Sequence, residues 1–131
     1  MAPIFTVTSY NSHGRGKEKL HYIQKLSNIS DFLLIQEHWL QEKDNNFFNK
    51  HLQNVNSHVT SGMDPTELLH GRPFGGCAIL WKSNLQHAVI PVHVDSKRLC
   101  AVKMISDDKT ILIINVYMPC FKPNETLSLT I

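Results

Sequence analysis

Glu37 is the residue in this sequence whose position most favours chemistry, because it follows directly on a short apolar run. The run 32–35 is too short for a typical helix and too continuous for a strand with one solvated face, which predicts a strand covered on both faces. An ionised carboxylate there costs free energy unless it is paired, hydrogen-bonded or bound to a cation. A hard divalent metal is one way to offset that cost. The alternatives are a helix-capping carboxylate or an ion pair with Arg15 or Lys82.

The elements around Glu37 predict a βαβ unit. Residues 4–10 are rich in β-branched and aromatic types and predict a first strand, which ends in a polar, glycine-punctuated loop. Residues 17–26 carry apolar side chains every three positions and predict a short amphipathic helix. A crossover helix makes its two strands parallel, so Asn11 and Glu37 are predicted to lie at the same edge of the sheet, where such sheets bind ligands.

The second half of the chain predicts antiparallel strands. A weak helix is predicted within 42–53, and a long loop over the sheet edge at 61–74. From residue 75 onward the patterns predict strands at 77–82, 88–94, 99–105 and 110–117, with a hairpin turn at 106–109. The predicted fold class is α/β (α+β), with a mixed sheet that has a βαβ start and antiparallel strands after residue 75.

Length and composition are typical of a single globular domain within 1–131. The chain has 131 residues, of which 42% are apolar, enough for a core. Its formal net charge of +2 is far too small to indicate nucleic-acid binding by itself, although it permits a phosphate-bearing partner. No apolar run approaches the roughly 18 residues needed to cross a bilayer, and the N-terminus lacks the features of a signal peptide. We therefore expect an intracellular protein, nuclear or cytoplasmic, with no membrane partner.

The cysteines and histidines form no zinc motif. Cys77, Cys100 and Cys120 lie far apart and lack CxxC spacing, so we predict reduced thiols in the core. The eight histidines include no HxxxH pair. Beside Glu37 we predict structural roles for His38, as a residue at the rim of the protein, and for Trp39, as a cap over the helix that follows.

Four motifs, taken in order, resemble the endonuclease/exonuclease/phosphatase family. They are Ser-Tyr-Asn at 9–11, Ile-Gln-Glu-His-Trp at 35–39, Gly-Arg-Pro-Phe-Gly-Gly-Cys-Ala-Ile-Leu at 71–80 and Ile-Asn-Val-Tyr-Met-Pro at 114–119. Their order, spacing and positions at strand ends are most similar to the apurinic-like endonuclease domain of non-LTR (LINE-type) retrotransposons. Any one motif is weak by itself, but four in sequence are fairly specific. The resemblance extends from about residue 4 to residue 119.

The resemblance implies a two-sheet α/β sandwich with a metal-dependent phosphodiesterase site between the sheet edges. It implies that Glu37 binds Mg²⁺ or Mn²⁺, that Asn11 is the amide beside the metal and phosphate, and that Tyr117 contacts the scissile phosphate. The alternatives are a turn role for Asn11 and a core role for Tyr117 with its hydroxyl at the rim. Arg72 and Arg98 are candidates to bind DNA phosphates, with solvated or acid-paired roles as the alternative.

The sequence also departs from the family pattern. Cys120 occupies the place of an asparagine that often helps to hold the phosphate, and the Gly-Asp-Phe-Asn and Ser-Asp-His motifs have no counterpart. Those motifs carry the water-activating aspartate and a phosphate-binding histidine. The chain is therefore predicted to be the N-terminal half of a DNA endonuclease domain, truncated before its C-terminal catalytic motifs and with little or no activity by itself.

Two other interpretations remain open. The chain could belong to a phosphatase or deadenylase of the same family, because these branches differ mainly in loops and in the missing half. It could also be a non-enzymatic remnant that binds DNA or a partner. In either case, half of a two-sheet sandwich is expected to leave one sheet face uncovered, which favours self-association.

Overall fold

A computed structural model describes residues 4–69 and 71–118, which form two β-sheets and two α-helices. The strands are β1 (Val7–Asn11), β2 (Phe32–Gln36), β3 (Val55–Thr60), β4 (Cys77–Lys82), β5 (Ala88–Val92), β6 (Leu99–Ile105) and β7 (Thr110–Val116). The helices are α1 (Lys17–Ile29) and α2 (Phe47–His51), and a 3₁₀ turn spans Glu42–Asp44.

The first sheet confirms the predicted βαβ start. Its strand order is β1-β2-β4-β3, in which β1 and β2 are parallel and the other two pairs are antiparallel. Asn11 pairs in register with Gln36, the residue before Glu37. The ends of both parallel strands therefore lie at one edge of the sheet.

The second sheet is antiparallel throughout, with the order β5-β6-β7. The predicted turn at 106–109 joins β6 to β7, and the Ser106 amide donates to the Lys109 carbonyl at 2.8 Å. The fold class, a mixed α+β arrangement of two sheets, agrees with the prediction.

The core consists of two apolar layers on opposite faces of the first sheet. One layer, with Ile23 of α1 and Phe48 of α2, lies between the helices and the sheet. The other lies between the two sheets and includes Phe32 of β2 and Val102 of β6. Strands β2 and β4 are central and contribute to both layers, which is why their sequences are nearly continuous runs of apolar residues.

Several elements differ from the sequence prediction. Strand β1 covers Val7–Asn11 instead of 4–10, and β5 ends at Val92 instead of residue 94. Helix α1 continues to Ile29, and the weak helix within 42–53 divides into the 3₁₀ turn and α2 around the poor helix formers Asn45 and Asn46. The sequence patterns do not predict β3. This strand is at the edge of the sheet and is rich in polar residues, so it lacks the apolar run that marks the central strands.

The outer face of the second sheet exposes an unusual amount of apolar surface. Both α-helices contact the first sheet instead. The outer-face side chains that are between 39% and 55% exposed are Ile90, Ile105, Leu112, Ile114 and Val116. Contiguous apolar surface of this kind marks sites of association, so self-association of the isolated chain stays a prediction.

Cys77 and Cys100 are free and buried, as predicted for core thiols. Burial raises the pKa of Cys77 to about 12 and that of Cys100 to about 11, which keeps both as unreactive thiols. Cys120 lies outside the described residues. None of the helices in the described ranges combines the length and apolar character that a membrane span requires.

Candidate functional site

Three predicted site residues lie at the ends of strands, and these strand ends meet in one region. Asn11 ends β1, Glu37 follows β2, and Tyr117 follows β7 of the other sheet. The Ser12 amide donates to the Gln36 carbonyl at 3.0 Å, which ties the first two strand ends together. The Tyr117 amide donates to the Arg98 carbonyl at 3.0 Å, so Arg98 lies beside the tyrosine at the same end of the second sheet.

The Glu37 carboxylate is the centre of this region. The Tyr117 hydroxyl donates to Glu37 Oε1 at 2.5 Å, although the two residues are 80 positions apart and belong to different sheets. On the other side, His13 Nδ1 lies 2.8 Å from Glu37 Oε2. Arg15 and Lys82, which the sequence offered as ion-pair partners, contact other groups: Arg15 donates to the Trp39 carbonyl at 2.6 Å, and Lys82 lies 3.9 Å from Asp31.

Glu37 Oε2 provides a direct test of whether the site fits a cation. Among the described residues this oxygen is buried and accepts no well-oriented hydrogen bond, despite the nearby imidazole. A buried carboxylate oxygen without a donor costs free energy, and a bound cation would remove that cost. The described residues contain no cluster of three or more His, Cys, Asp or Glu side chains. A site with few protein ligands suits Mg²⁺, which keeps several waters in its coordination shell. The residues present therefore fit the metal that the resemblance implies.

The backbone around Glu37 is strained. Three non-glycine residues adopt left-handed conformations, with φ of 46° at His13, 57° at Glu37 and 61° at Trp39. Gly76, with φ of 99°, accepts a 2.8 Å hydrogen bond from the Glu37 amide through its carbonyl. Such strain costs about 1–3 kcal/mol per non-glycine residue and is typical of functional sites.

His38 is not a rim residue, so that prediction is wrong. Its side chain is fully buried, and its Nδ1 accepts a 2.9 Å hydrogen bond from the Leu40 amide. The proton of the neutral ring must therefore be on Nε2, which lies 3.0 Å from the Thr60 carbonyl and 3.3 Å from that of Cys77. Burial lowers the pKa of His38 to about 4, against the two carbonyl contacts, which raise it. His38 thus anchors the segment that carries Glu37.

The low pKa of His38 predicts a loss of stability in acid. Above pH 6.5 the imidazole is neutral in both states, whereas between pH 6.5 and 4 the unfolded chain binds a proton that the folded chain does not. The free energy of unfolding should therefore fall by roughly 3 kcal/mol over this range. His58 adds in the same direction, because burial also lowers its pKa.

Urea unfolding at several pH values measures this effect. We expect His38→Gln to remove most of the pH dependence, whatever its effect on stability at pH 7. The exposed His21 is the matched control, and His21→Asn should leave the dependence unchanged. An equally steep dependence in His38→Gln would contradict the assignment.

The Trp39 ring lies beside the loop before α1 and beside Lys19 of that helix, and its predicted role as a cap over the following helix stays a prediction. A Cβ on Gly14 would meet the indole ring at 2.9 Å, which shows how closely that loop packs against it. The Arg72 guanidinium carbon is 5.9 Å from the ring centroid, and Lys19 Nζ is 5.8 Å away. Trp39 is two residues after Glu37 in the sequence. Together with Arg72 and Lys19 it forms a cationic and aromatic surface.

Asn11 makes the turn contact that the sequence left open as its alternative role. Its Oδ1 accepts a hydrogen bond from the His13 amide at 3.2 Å, and its side chain is exposed. This contact places the amide in the loop that presents His13 to Glu37. A role for Asn11 beside a metal stays a prediction.

The sequence assigned no role to two residues of this region. Asn115 is buried between the sheets, where its Nδ2 donates to the carbonyls of Ile35 at 2.8 Å and Ala78 at 2.9 Å. Its Oδ1 accepts from Gln36 Nε2 at 2.7 Å. Asn115 belongs to the motif at 114–119, and a further signal was its position as a lone amide among apolar residues of the strand. For His13, the second residue, the only signal was its position two residues after Asn11.

The loop at 61–74 borders a cavity of about 440 Å³. Its walls come from this loop and from residues 41–43, with Met63, Leu68 and Phe74 among the apolar contributors. Glu37, Asn11 and Tyr117 do not line it. The cavity is therefore separate from the strand-end site.

Solved structures show which class of fold this arrangement represents. The fold of two facing sheets is shared by solved structures of DNA-processing enzymes. The endonuclease domain of TRAS1, a telomere-specific non-LTR retrotransposon, is 16% identical with a TM-score of 0.59, over 95% of this chain and 49% of that one. The 3′ phosphatase NExo (D146N) from Neisseria, bound to a product DNA hairpin, is 16% identical with a TM-score of 0.57.

A third similar structure is the AP endonuclease LMAP from Leishmania major, at 17% identity and a TM-score of 0.57. The match to LMAP includes 86% of this chain and 40% of LMAP. The match to NExo includes 87% of this chain and 41% of NExo. The chain thus spans less than half the length of each of these three structures. No family model and no curated protein matches the sequence. At these identities the likeness shows the fold alone.

Proposed function

We propose that this chain is part of a DNA endonuclease domain that hydrolyses phosphodiester bonds with Mg²⁺ or Mn²⁺. The observation that carries the proposal is the 2.5 Å contact between Tyr117 and Glu37, two motif residues from different sheets. If Tyr117 were only a core residue and Glu37 only a surface carboxylate, the two side chains would have no reason to meet. The fold shared with two endonucleases and a 3′ phosphatase supports the same class of chemistry.

Each residue has a defined part in this proposal. Glu37 would hold the metal, with Asn11 beside it, and the bound ion would offset negative charge that develops on the phosphate and the leaving oxygen. The neutral Tyr117 hydroxyl is a donor that can be oriented towards a phosphate oxygen. Arg72 and Arg98 are proposed to bind neighbouring phosphates of the strand.

The surface of Trp39, Arg72 and Lys19 supports DNA as the partner. An indole ring provides a face on which a base can stack, and adjacent cations attract the phosphate backbone. Trp39 is two residues from Glu37 along the chain, and Lys19 and Arg72 both lie over its ring. An intracellular location, nuclear or cytoplasmic, belongs to the same proposal.

The chain is expected to bind single-stranded DNA without cutting it. Tryptophan fluorescence reports binding, because Trp39 is partly exposed whereas the other tryptophan, Trp81, is 9% exposed in the core. Oligodeoxynucleotide should quench the wild type, and Trp39→Phe should remove the quenching. Arg72→Ala should weaken DNA binding about threefold to tenfold. Arg98→Ala, measured in the same way, tests the other candidate phosphate-binding residue.

The same samples test activity. Supercoiled plasmid should remain intact with Mg²⁺ or Mn²⁺, because the sequence lacks the Gly-Asp-Phe-Asn and Ser-Asp-His motifs. Metal-dependent nicking that Glu37→Ala abolishes would contradict the predicted inactivity while supporting the endonuclease assignment. A chain that neither binds DNA nor binds either metal would contradict the proposed function and favour a non-enzymatic remnant.

A phosphatase of the same fold is the second candidate. The similarity to the 3′ phosphatase NExo, with a TM-score of 0.57, is close to the 0.59 of the retrotransposon domain. Binding to DNA ends, compared with binding to internal sites, distinguishes a phosphatase from an endonuclease. Preferential binding of a 3′-phosphorylated duplex end over an unbroken duplex would favour the phosphatase.

A further inference from the structure

His13 lies beside the buried oxygen of Glu37, and the sequence motifs assign it no role. Its Nδ1 lies 2.8 Å from Glu37 Oε2. Even so, Oε2 accepts no well-oriented hydrogen bond from any described group. The imidazole and the carboxylate are therefore close without being aligned as a donor and an acceptor.

Backbone contacts hold His13 in this position. Its amide donates to Asn11 Oδ1 at 3.2 Å, and its carbonyl accepts a hydrogen bond from Lys19 Nζ. Its φ of 46° is unusual for a residue with a side chain. The imidazole itself is 67% exposed, so its ring can adjust outward at little cost in packing.

The separation of the two atoms suits a shared metal ion. Two neighbouring ligands of an octahedral ion, each at about 2.1 Å, are about 3 Å apart. The 2.8 Å between Nδ1 and Oε2 is close to that value. A ring nitrogen and a carboxylate oxygen that do not point at one another can both direct lone pairs towards a third position.

We propose that His13 Nδ1 is a ligand of the ion that Glu37 holds, and that this nitrogen makes the site prefer Mn²⁺ over Mg²⁺. The inference rests on the proposed function, because it adds a ligand to the metal site proposed there. Mg²⁺ is bound chiefly by oxygen, whereas imidazole is a better ligand for transition metals than for Mg²⁺. Glu37 therefore binds either ion, whereas His13 favours Mn²⁺.

Metal binding to the 131-residue chain tests the inference without any activity assay. Free Mn²⁺ is measured by electron paramagnetic resonance during titration, and Mg²⁺ is measured by competition. Asparagine tolerates left-handed backbone, so His13→Asn removes the imidazole while keeping the conformation of the loop. We expect this variant to weaken Mn²⁺ binding about tenfold or more, with a smaller change for Mg²⁺.

Two further variants separate the possible outcomes. His21→Asn, at an exposed position on α1, should bind Mn²⁺ as the wild type does. Glu37→Gln should lose both ions. If Glu37→Gln loses Mn²⁺ but His13→Asn binds it normally, the role of His13 is overturned and the proposed function stands. If Glu37→Gln binds both ions normally, the metal site and the role of His13 are both overturned.

Discussion

Replacement of Asn115 by leucine is expected to lower the free energy of unfolding by about 3–5 kcal/mol, a large share of the stability of a small domain. Leucine has a similar size but cannot donate or accept a hydrogen bond. The variant would leave the carbonyls of Ile35 and Ala78 without the 2.8 Å and 2.9 Å bonds that Asn115 donates. It would also remove the acceptor for Gln36, which is 2.7 Å away. Each buried polar group left unpaired costs about 1–3 kcal/mol.

Urea unfolding followed by circular dichroism measures this loss. Asn56→Leu is the matched control, because Asn56 is exposed on β3 and the chemical change is the same. We expect that control to stay within about 0.5 kcal/mol of the wild type. Asn115→Asp should be at least as damaging as leucine, since a carboxylate would face two carbonyl oxygens. Wild-type stability in both Asn115 variants would show that the amide does not join the two sheets.

Asn115 also affects the candidate site. It is two residues before Tyr117 on the same strand, and its hydrogen bonds attach that strand to β2 and β4 of the first sheet. The 2.5 Å contact between Tyr117 and Glu37 depends on this attachment, because the two residues come from different sheets. Variants of Asn115 that remain folded should therefore also bind metal more weakly.

Gly76→Ala is expected to destabilise the chain by about 3–5 kcal/mol, through backbone strain and overpacking together. Gly76 has a φ of 99°, which side-chain-bearing residues rarely adopt. An alanine Cβ would lie 2.5 Å from His38 Nε2 and 2.7 Å from His38 Nδ1, far inside contact distance. The His38 ring is held by backbone partners on both nitrogens, so it cannot move aside without losing them.

Gly71→Ala separates strain from overlap. Gly71 also has a positive φ, 83°, but a Cβ there would meet no atom within 4 Å. We expect this control to cost only about 1–2 kcal/mol, the penalty of the left-handed backbone. Thermal unfolding of both variants gives the comparison. Equal losses at the two positions would show that contact with His38 does not determine the effect.

Gly76→Ala should also displace Glu37, because the Gly76 carbonyl accepts a 2.8 Å hydrogen bond from the Glu37 amide. Metal binding of any folded fraction should fall accordingly. The same packing explains why residue 76 is a glycine. At Gly76 the buried imidazole leaves no room for a side chain.

Much of the fold could be predicted from local patterns. The apolar runs of β2 and β4 predict central strands because both of their faces are covered, and the periodicity of α1 predicts the crossover helix. Edge strand β3 could not be predicted in this way, since it is only partly buried and its polar residues interrupt any apolar pattern.

The site divides along the same line. Glu37 and Tyr117 could be proposed from motifs at strand ends, and the structure brings them together. The roles of His13 and of the motif residue Asn115 could not, because their contacts depend on how one loop folds back and how two sheets face each other. His38 shows the reverse case, in which a residue next to the site looked exposed from sequence but is fully buried.

By itself the sequence determined the βαβ start, the antiparallel second half and the order of the motif residues, because these follow from periodicity, turn residues and chain handedness. Only the tertiary structure decided which groups meet at the Glu37 carboxylate. Tyr117 is 80 positions away, and its distance from Glu37 depends on the packing of one sheet against the other. Local patterns record whether a side chain is covered, but they do not record which distant residue covers it.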